Sequence, residues 1–217
     1  KHSDRTSVSF FSSEQGMDEY FILIRSKLEV NLESSLDNIY KDYSLVMENY
    51  GLSENTVIFT KYFLGDIHNE ISKLKKSDLF NFGSKAGQSV IEQTPLFHGG
   101  GMYLLAYHLE DCDNHLSKTL KYRDQNKDRN SEHVKGKNYS MLWAGNYFGT
   151  GKLDSCEQSK QVFNDYILLL NEYGMNMYDS TIRTWIYVRD IDNHYHLQIF
   201  QFYEGESSLN VTLLSKR

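Results

Sequence analysis

The chain has 217 residues, 40% hydrophobic and 24% charged, with a formal net charge of −6, and that composition places it among globular proteins. The acidic balance argues against nucleic acid, which wants a basic footprint, and no stretch approaches the roughly 20 apolar residues of a membrane span. Two cysteines, Cys112 and Cys156, make no disulfide framework; they read as free thiols in a reducing, cytoplasmic compartment, and the first 20 residues carry no signal-peptide pattern.

Segments 8–11 (VSFF) and 20–24 (YFILI) predict two strands joined by a turn, a hairpin. Residues 34–50 place Leu36, Ile39, Tyr40, Tyr43, Val46, Met47 and Tyr50 on one stripe, an amphipathic helix closed by Gly51. Residues 56–64 (TVIFTKYFL) are rich in β-branched and aromatic side chains and predict a buried strand. Ile67, Ile71 and Leu74 then recur at helical spacing within 67–80, and 88–93 and 101–109 predict two closing strands. The order is β-β-α-β-α-β-β, one sheet covered by two helices. Residues 110–138 are polar and charged and read as a linker, mobile over 121–137.

The chain then repeats itself. Asp42, Tyr43, Leu45, Tyr50 and Gly51 recur 123 residues later as Asp165, Tyr166, Leu168, Tyr173 and Gly174. Ile58, Thr60, Asp66, Ile67 and Asn69 recur 124 residues later as Ile182, Thr184, Asp190, Ile191 and Asn193. Such a period is too long for a solenoid and matches a small domain. The expected organisation is a complete domain over 1–115, a polar linker over 116–138 and a partial second domain over 139–217. In that second copy 141–148 is a strand, 155–173 a helix and 180–188 the repeated strand, with a second helix due at about 191–204. The tail Gly205–Arg217 has room for one closing strand and not for two, so the copy is expected to be cut short.

The element order, with Gly51–Asn69 and Gln88–Leu109, resembles the Rid/YjgF family, and the doubling resembles its two-domain, chorismatase-like branch. The resemblance spans 8–110 as a complete domain and 139–200 as a partial one. It implies an α+β fold of tandem Rid/YjgF-like (chorismate-mutase-like) β-β-α-β-α-β-β domains, the second incomplete. Single-domain relatives are typically trimers that hydrolyse enamine or imine intermediates at subunit interfaces, without metal or organic cofactor. The doubled branch hydrolyses the enol ether of chorismate, a dicarboxylate. The family also carries older ribonuclease and translation-inhibitor labels, which the negative charge does not support.

The family's carboxylate-binding arginine falls in AGQSVIEQTPL (86–96). Ser89, Val90, Glu92 and Pro95 match the pattern there, but Gln88 holds the arginine position. A neutral amide cannot replace two charge-assisted hydrogen bonds, so the first domain is not expected to run the family's imine chemistry. In the second copy the equivalent stretch falls at the chain's last residues, and Arg217 does not match the motif.

Four residues are therefore candidates for ligand binding. Gln88 and Glu92 share one face of their strand: either a degenerate pocket or polar residues at a domain interface. In STIRTWIYVRD (180–190), Ile182, Thr184, Ile186 and Val188 are expected under the helices. Thr181, Arg183, Trp185, Tyr187 and Arg189 take the other face, as do Val57, Phe59, Lys61 and Phe63 in the first copy. That second face reads as sheet-to-sheet packing between domains or subunits, or as an anion pocket built by Arg183 and Trp185.

Other patterns are weaker. GNYFGTGK (145–152) fails the phosphate-loop template in spacing and in its final hydroxyl. His108, Asp111, Cys112, Asp113 and His115 fit no zinc template and read as a solvated strand end, and His194 and His196 are poor metal candidates. No metal and no cofactor is expected. Two functions follow: a hydrolase of a small carboxylated metabolite, chorismatase-like or imine-deaminase-like, with a degenerate site; or a non-catalytic ligand-binding or assembly module using the sheet faces, as an oligomer or by tight interdomain packing.

Overall fold

The computed structural model describes residues 4–13, 16–26, 31–93, 101–111, 115–122, 129–149, 155–188 and 209–216. The chain forms two compact units, Lys1–Leu120 with Glu132–Asn138, and Lys121–Ser131 with Tyr139–Arg217.

The first unit begins with the expected hairpin. Strands β1 (Thr6–Ser12) and β2 (Met17–Arg25) pair antiparallel, Thr6 opposite Ile24 and Ser12 opposite Asp18. Helix α1 (Leu32–Tyr50) starts at Asn31, whose side chain accepts a hydrogen bond from the Ser34 amide at 2.9 Å, and stops at Gly51. Gly51 sits at φ 69°, a left-handed conformation that costs glycine least, so the stop is written into the sequence.

Strand β3 (Val57–Leu64) is followed by two short helices, α2 (Ile67–Leu74) and α3 (Asp78–Gly83), where the periodicity predicts one. The break has a local cause: the Ser77 hydroxyl accepts from the Phe80 amide and starts a new helix with Asp78 in its first turn. Strands β4 (Gly87–Glu92) and β5 (Tyr103–Asp111) close the unit. The sheet order is β1-β2-β5-β3-β4, antiparallel throughout except for β3 and β4.

The core lies between this sheet and the helices. Ile22, Ile24, Tyr62, Leu64, Leu104 and Ala106 from the strands meet Leu36, Ile39, Tyr43 and Val46 of α1, with Leu74 and Leu79 from the shorter helices. On the opposite face of β3, Val57, Phe59 and Lys61 are also buried, whereas Phe21 and Leu23 of β2 stay exposed.

The linker expectation is corrected. Within 116–138 lie two strands, β6 (Ser117–Tyr122) and β7 (Asn130–Lys135). Charge had suggested solvation, but β7 buries Asn130, Ser131, Glu132 and Val134. Composition reports the average character of a segment, whereas burial of a strand is decided by which residues face a neighbour.

In the remainder, β8 (Ser140–Tyr147), α4 (Ser155–Glu172), α5 (Met177–Ser180), β9 (Thr181–Val188) and β10 (Leu209–Lys216) follow. The second sheet runs β6-β7-β8-β10-β9. Strands β7, β8, β10 and β9 thus take the places of β1, β2, β5 and β3. The tail supplies the single closing strand expected of it, β10. Among the described residues β4 has no counterpart, and β6 is added at the other edge. Leu142, Ala144 and Tyr147 of β8 pack with Val162, Tyr166, Leu169 and Leu170 of α4.

One face assignment differs from expectation. Ile182 and Ile186 of β9 were expected under helices and are 56% and 49% exposed. In the first unit α2 and α3 supply Leu74 and Leu79 to the core beside Tyr62 and Leu64 of β3. The corresponding stretch of the second copy, including the helix expected at 191–204, lies outside the described residues.

Candidate functional site

Arg183 and Trp185 stand two residues apart on β9 and share a face of the strand. Trp185 stacks on Trp143 of β8, ring centroids 6.0 Å apart and planes 18° from parallel. The two rings meet above β10, which pairs with both of their strands: Leu214 lies opposite Trp143 and Arg183, and Thr212 opposite Trp185. The Arg183 guanidinium lies 5.6 Å from the Trp185 ring centroid, within cation–π range. Trp143 is buried, Trp185 half-buried and Arg183 exposed. The result is a graded stack, an indole base rising to a cation at the surface. Among the described residues no ion pair engages Arg183. A guanidinium so placed keeps its edge donors available to a carboxylate while its face is held by the indole.

Gln88 and Glu92 are not brought to that stack. They share a face of β4, but Gln88 is buried under α3, where its side-chain amide donates to the Tyr62 hydroxyl (3.3 Å) and the Phe80 carbonyl (3.2 Å). Glu92 lies exposed at the strand end. Gln88 thus fastens β4 to the helix layer. Burial pushes the Tyr62 hydroxyl up to about 12, against the lowering effect of the neighbouring Thr60 and Gln88 side chains. A Cβ on Gly83 would lie 2.1 Å from that hydroxyl, so this bonded cluster leaves no room for a side chain.

His108 is a correction to the solvated strand end. It is fully buried, with Nε2 at 2.6 Å from the Tyr43 hydroxyl and Nδ1 at 2.9 Å from the Thr56 hydroxyl. The Thr56 hydroxyl also accepts from the Ser53 amide and donates to the Ser53 carbonyl. Its one hydrogen is thereby used, so the network assigns the imidazole hydrogen to Nδ1 and leaves Nε2 to accept from Tyr43. Burial lowers His108 to about 3, with the Lys118 charge adding to the effect, and burial holds the Tyr43 hydroxyl well above its ordinary range.

No group of three potential metal ligands comes together among the described residues. Cys112, Asp113, His194, His196, Arg217 and the Gly-Lys end of the GNYFGTGK stretch lie outside them. No described helix is long and apolar enough to cross a membrane.

Sequence reasoning missed Trp143 because its partner is 42 residues away, on a strand two places across the sheet. It also missed a legible signal. Asp4-Arg5-Thr6-Ser7 recurs as Asp128-Arg129-Asn130-Ser131, 124 residues on. Arg5 pairs with Asp42 at 3.0 Å and Arg129 with Asp165 at 2.8 Å, and Asp42 and Asp165 are already repeat partners. That motif marks β7 as the counterpart of β1.

The fold is an α+β arrangement, with the first unit carrying the β-β-α-β-α-β-β strand order and a divided second helix. Solved structures similar to the chain include RidA from the Antarctic bacterium Psychrobacter sp., 13% identical over 46% of this chain and 84% of that one, TM-score 0.35. A member of the YjgF/YER057c/UK114 family from Mycobacterium tuberculosis is 14% identical over 47% of this chain and 98% of that one, TM-score 0.33. A yjgF-family protein from Streptococcus pyogenes is 15% identical over 50% of this chain and 98% of that one, TM-score 0.34. No protein-family model and no curated protein matches the sequence.

Proposed function

We propose that the chain binds a small carboxylated metabolite at the Arg183–Trp185–Trp143 stack. The observation that carries this reading is an exposed guanidinium laid over an indole, without an ion pair among the described residues. The arginine supplies paired donors to a carboxylate and the tryptophan a flat apolar wall, so a planar acid suits the site better than a bulky one. Binding is the part this geometry supports. Hydrolysis of an enol ether or imine would require a proton donor beside the bound ligand as well. Gln88, at the family's arginine position, is engaged in the core of the first unit.

The chain contains two tryptophans, and both belong to the stack, so selectively excited tryptophan fluorescence reads this site alone. Titration with benzoate as a planar carboxylate probe is expected to give a saturable fluorescence change. Arg183→Ala is expected to weaken binding about ten- to hundredfold, the loss of a hydrogen bond to a charged group, with the fold retained by circular dichroism. Product analysis of the same mixtures with an enol-ether dicarboxylate tests the hydrolytic reading. Assembly through the sheet face is the competing reading. It predicts that Trp185→Ala alters oligomeric state and that no carboxylate changes the fluorescence, a result that sinks the binding proposal.

A further inference from the structure

The first unit also buries an acid that its surroundings do not serve. Glu132 of β7 is 1% exposed, and its Oε2 has no hydrogen-bond partner. Its stem lies over β4 at Gly87, where a Cβ would come within 3.3 Å of the Glu132 Cβ and 2.7 Å of the Phe59 ring. The glycine therefore permits the close approach. On the neighbouring β6, Lys118 donates to the Val57 carbonyl at 2.6 Å and the Glu54 carbonyl at 3.0 Å. The ammonium is thus tied to the start of β3, and among the described residues no ion pair joins it to Glu132.

A carboxylate buried with an oxygen unserved is costly, whereas a protonated carboxyl is far less so. Opening to water removes the cost of ionisation, so the proton on Glu132 and the docking of its strand are linked. We propose that Glu132 and Lys118 form a proton-operated latch, in which a protonated Glu132 keeps residues 117–120 and 132–135 closed on β3 and β4, and loss of that proton loosens them.

The surrounding groups define the window. Burial raises Glu132 from 4.5 to about 8, opposed by the Lys118 charge. Burial lowers Lys118, opposed by Glu132 and Glu54, so Lys118 acts in the opposite sense. Lys61 lies on the face of β3 that carries Phe59; His133 and Lys135 lie on β7 itself. His108 on β5 responds below its ordinary 6.5, so from 6.5 to 8 the part of the response that Glu132→Gln removes belongs to Glu132.

The experiment is amide hydrogen exchange of the intact chain at several pH values, each rate divided by its intrinsic, base-catalysed rate. Protection of 117–120 and 132–135 is expected to fall about fifteenfold between pH 6.5 and 8, and to level off above about 9, following the linkage of one proton with a midpoint near 8. Glu132→Gln, which cannot ionise, is expected to remove that pH dependence while keeping the strands protected. Carbon-13 titration of the side-chain carboxyls in the unmodified chain gives a second reading that needs no variant. A Glu132 carboxyl titrating near its ordinary 4.5, or the same pH dependence in wild type and Glu132→Gln, overturns the proposal.

Discussion

The same helix and cap are used twice, ahead of strands that differ in burial. In α1, Ile39, Tyr43, Val46 and Met47 are buried; in α4 their counterparts 123 residues on, Val162, Tyr166, Leu169 and Leu170, are buried as well. Each helix ends at a left-handed glycine, Gly51 at φ 69° and Gly174 at φ 64°. The amide after each returns to the helix, Leu52 to the Met47 carbonyl at 2.9 Å and Met175 to the Leu170 carbonyl at 3.0 Å. The strands that follow diverge. Val57 to Tyr62 of β3 are all buried, whereas Ile182 and Ile186 of β9 are exposed. Local pattern therefore reproduced the helix and its cap, but not the burial of the strand: β3 lies between β5 and β4 with Leu74 and Leu79 of α2 and α3 packed beside it, and β9 is an edge of its sheet among the described residues.

That contrast can be broken first in the cores. Ile39→Ala is expected to cost about 3 kcal/mol by cavity formation, and Val162→Ala about 2 kcal/mol, since it deletes a smaller side chain. If the units melt separately, each substitution should shift only its own transition in a calorimetric scan. A single transition moved by both would show that the units unfold together.

Acid should act on the first unit through His108, and the sign follows from proton uptake. With the folded state at about 3 and the unfolded chain near 6.5, the unfolded chain binds the proton first, so stability falls as pH drops below 6.5. Glu132 works the other way between 4.5 and 8, because there the folded state holds the extra proton. The two slopes nearly cancel from 6.5 to 4.5. Wild type is expected to show a plateau across that interval in urea melts, with stability falling on both sides. Glu132→Gln should expose the histidine alone and lose about 2 kcal/mol between pH 6.5 and 5, at about 1.4 kcal/mol per unit. No loss in that variant would contradict the buried neutral assignment of His108.

The smallest effect is expected at the two helix stops. Gly51→Ala and Gly174→Ala each force a Cβ into the left-handed region and should cost about 1 kcal/mol. Equal values would confirm that the cap is a local device, copied intact; unequal values would show that the surrounding unit changes it.

The fold was legible where neighbours in sequence are neighbours in space. The hairpin, α1 with Gly51, β3, the closing strands, α4 and β9 all announce themselves through periodicity and turn chemistry. The linker expectation failed because residues 116–138 look polar on average, although Glu132 and Val134 are turned inward. The Asp-Arg-x-Ser echo ahead of β1 and β7 would have corrected it, but two charged residues and a serine carry little hydrophobic signal. At the candidate site, Arg183 and Trp185 were legible from strand alternation. Gln88 was legible as a departure from a motif, though not as a residue bonded to Tyr62 and Phe80 within the core.

By itself, then, the sequence determined two copies of an α+β unit, the long helix of each and the glycine that ends it. These depend on conformational preferences and spacings within a few turns of chain. Tertiary structure alone decided that Trp143 meets Trp185, that His108 is held neutral between Tyr43 and Thr56, and that Glu132 is buried beside Lys118. Each of these joins residues from different elements, and an ionisable side chain's charge state depends on the desolvation and partners that such packing imposes.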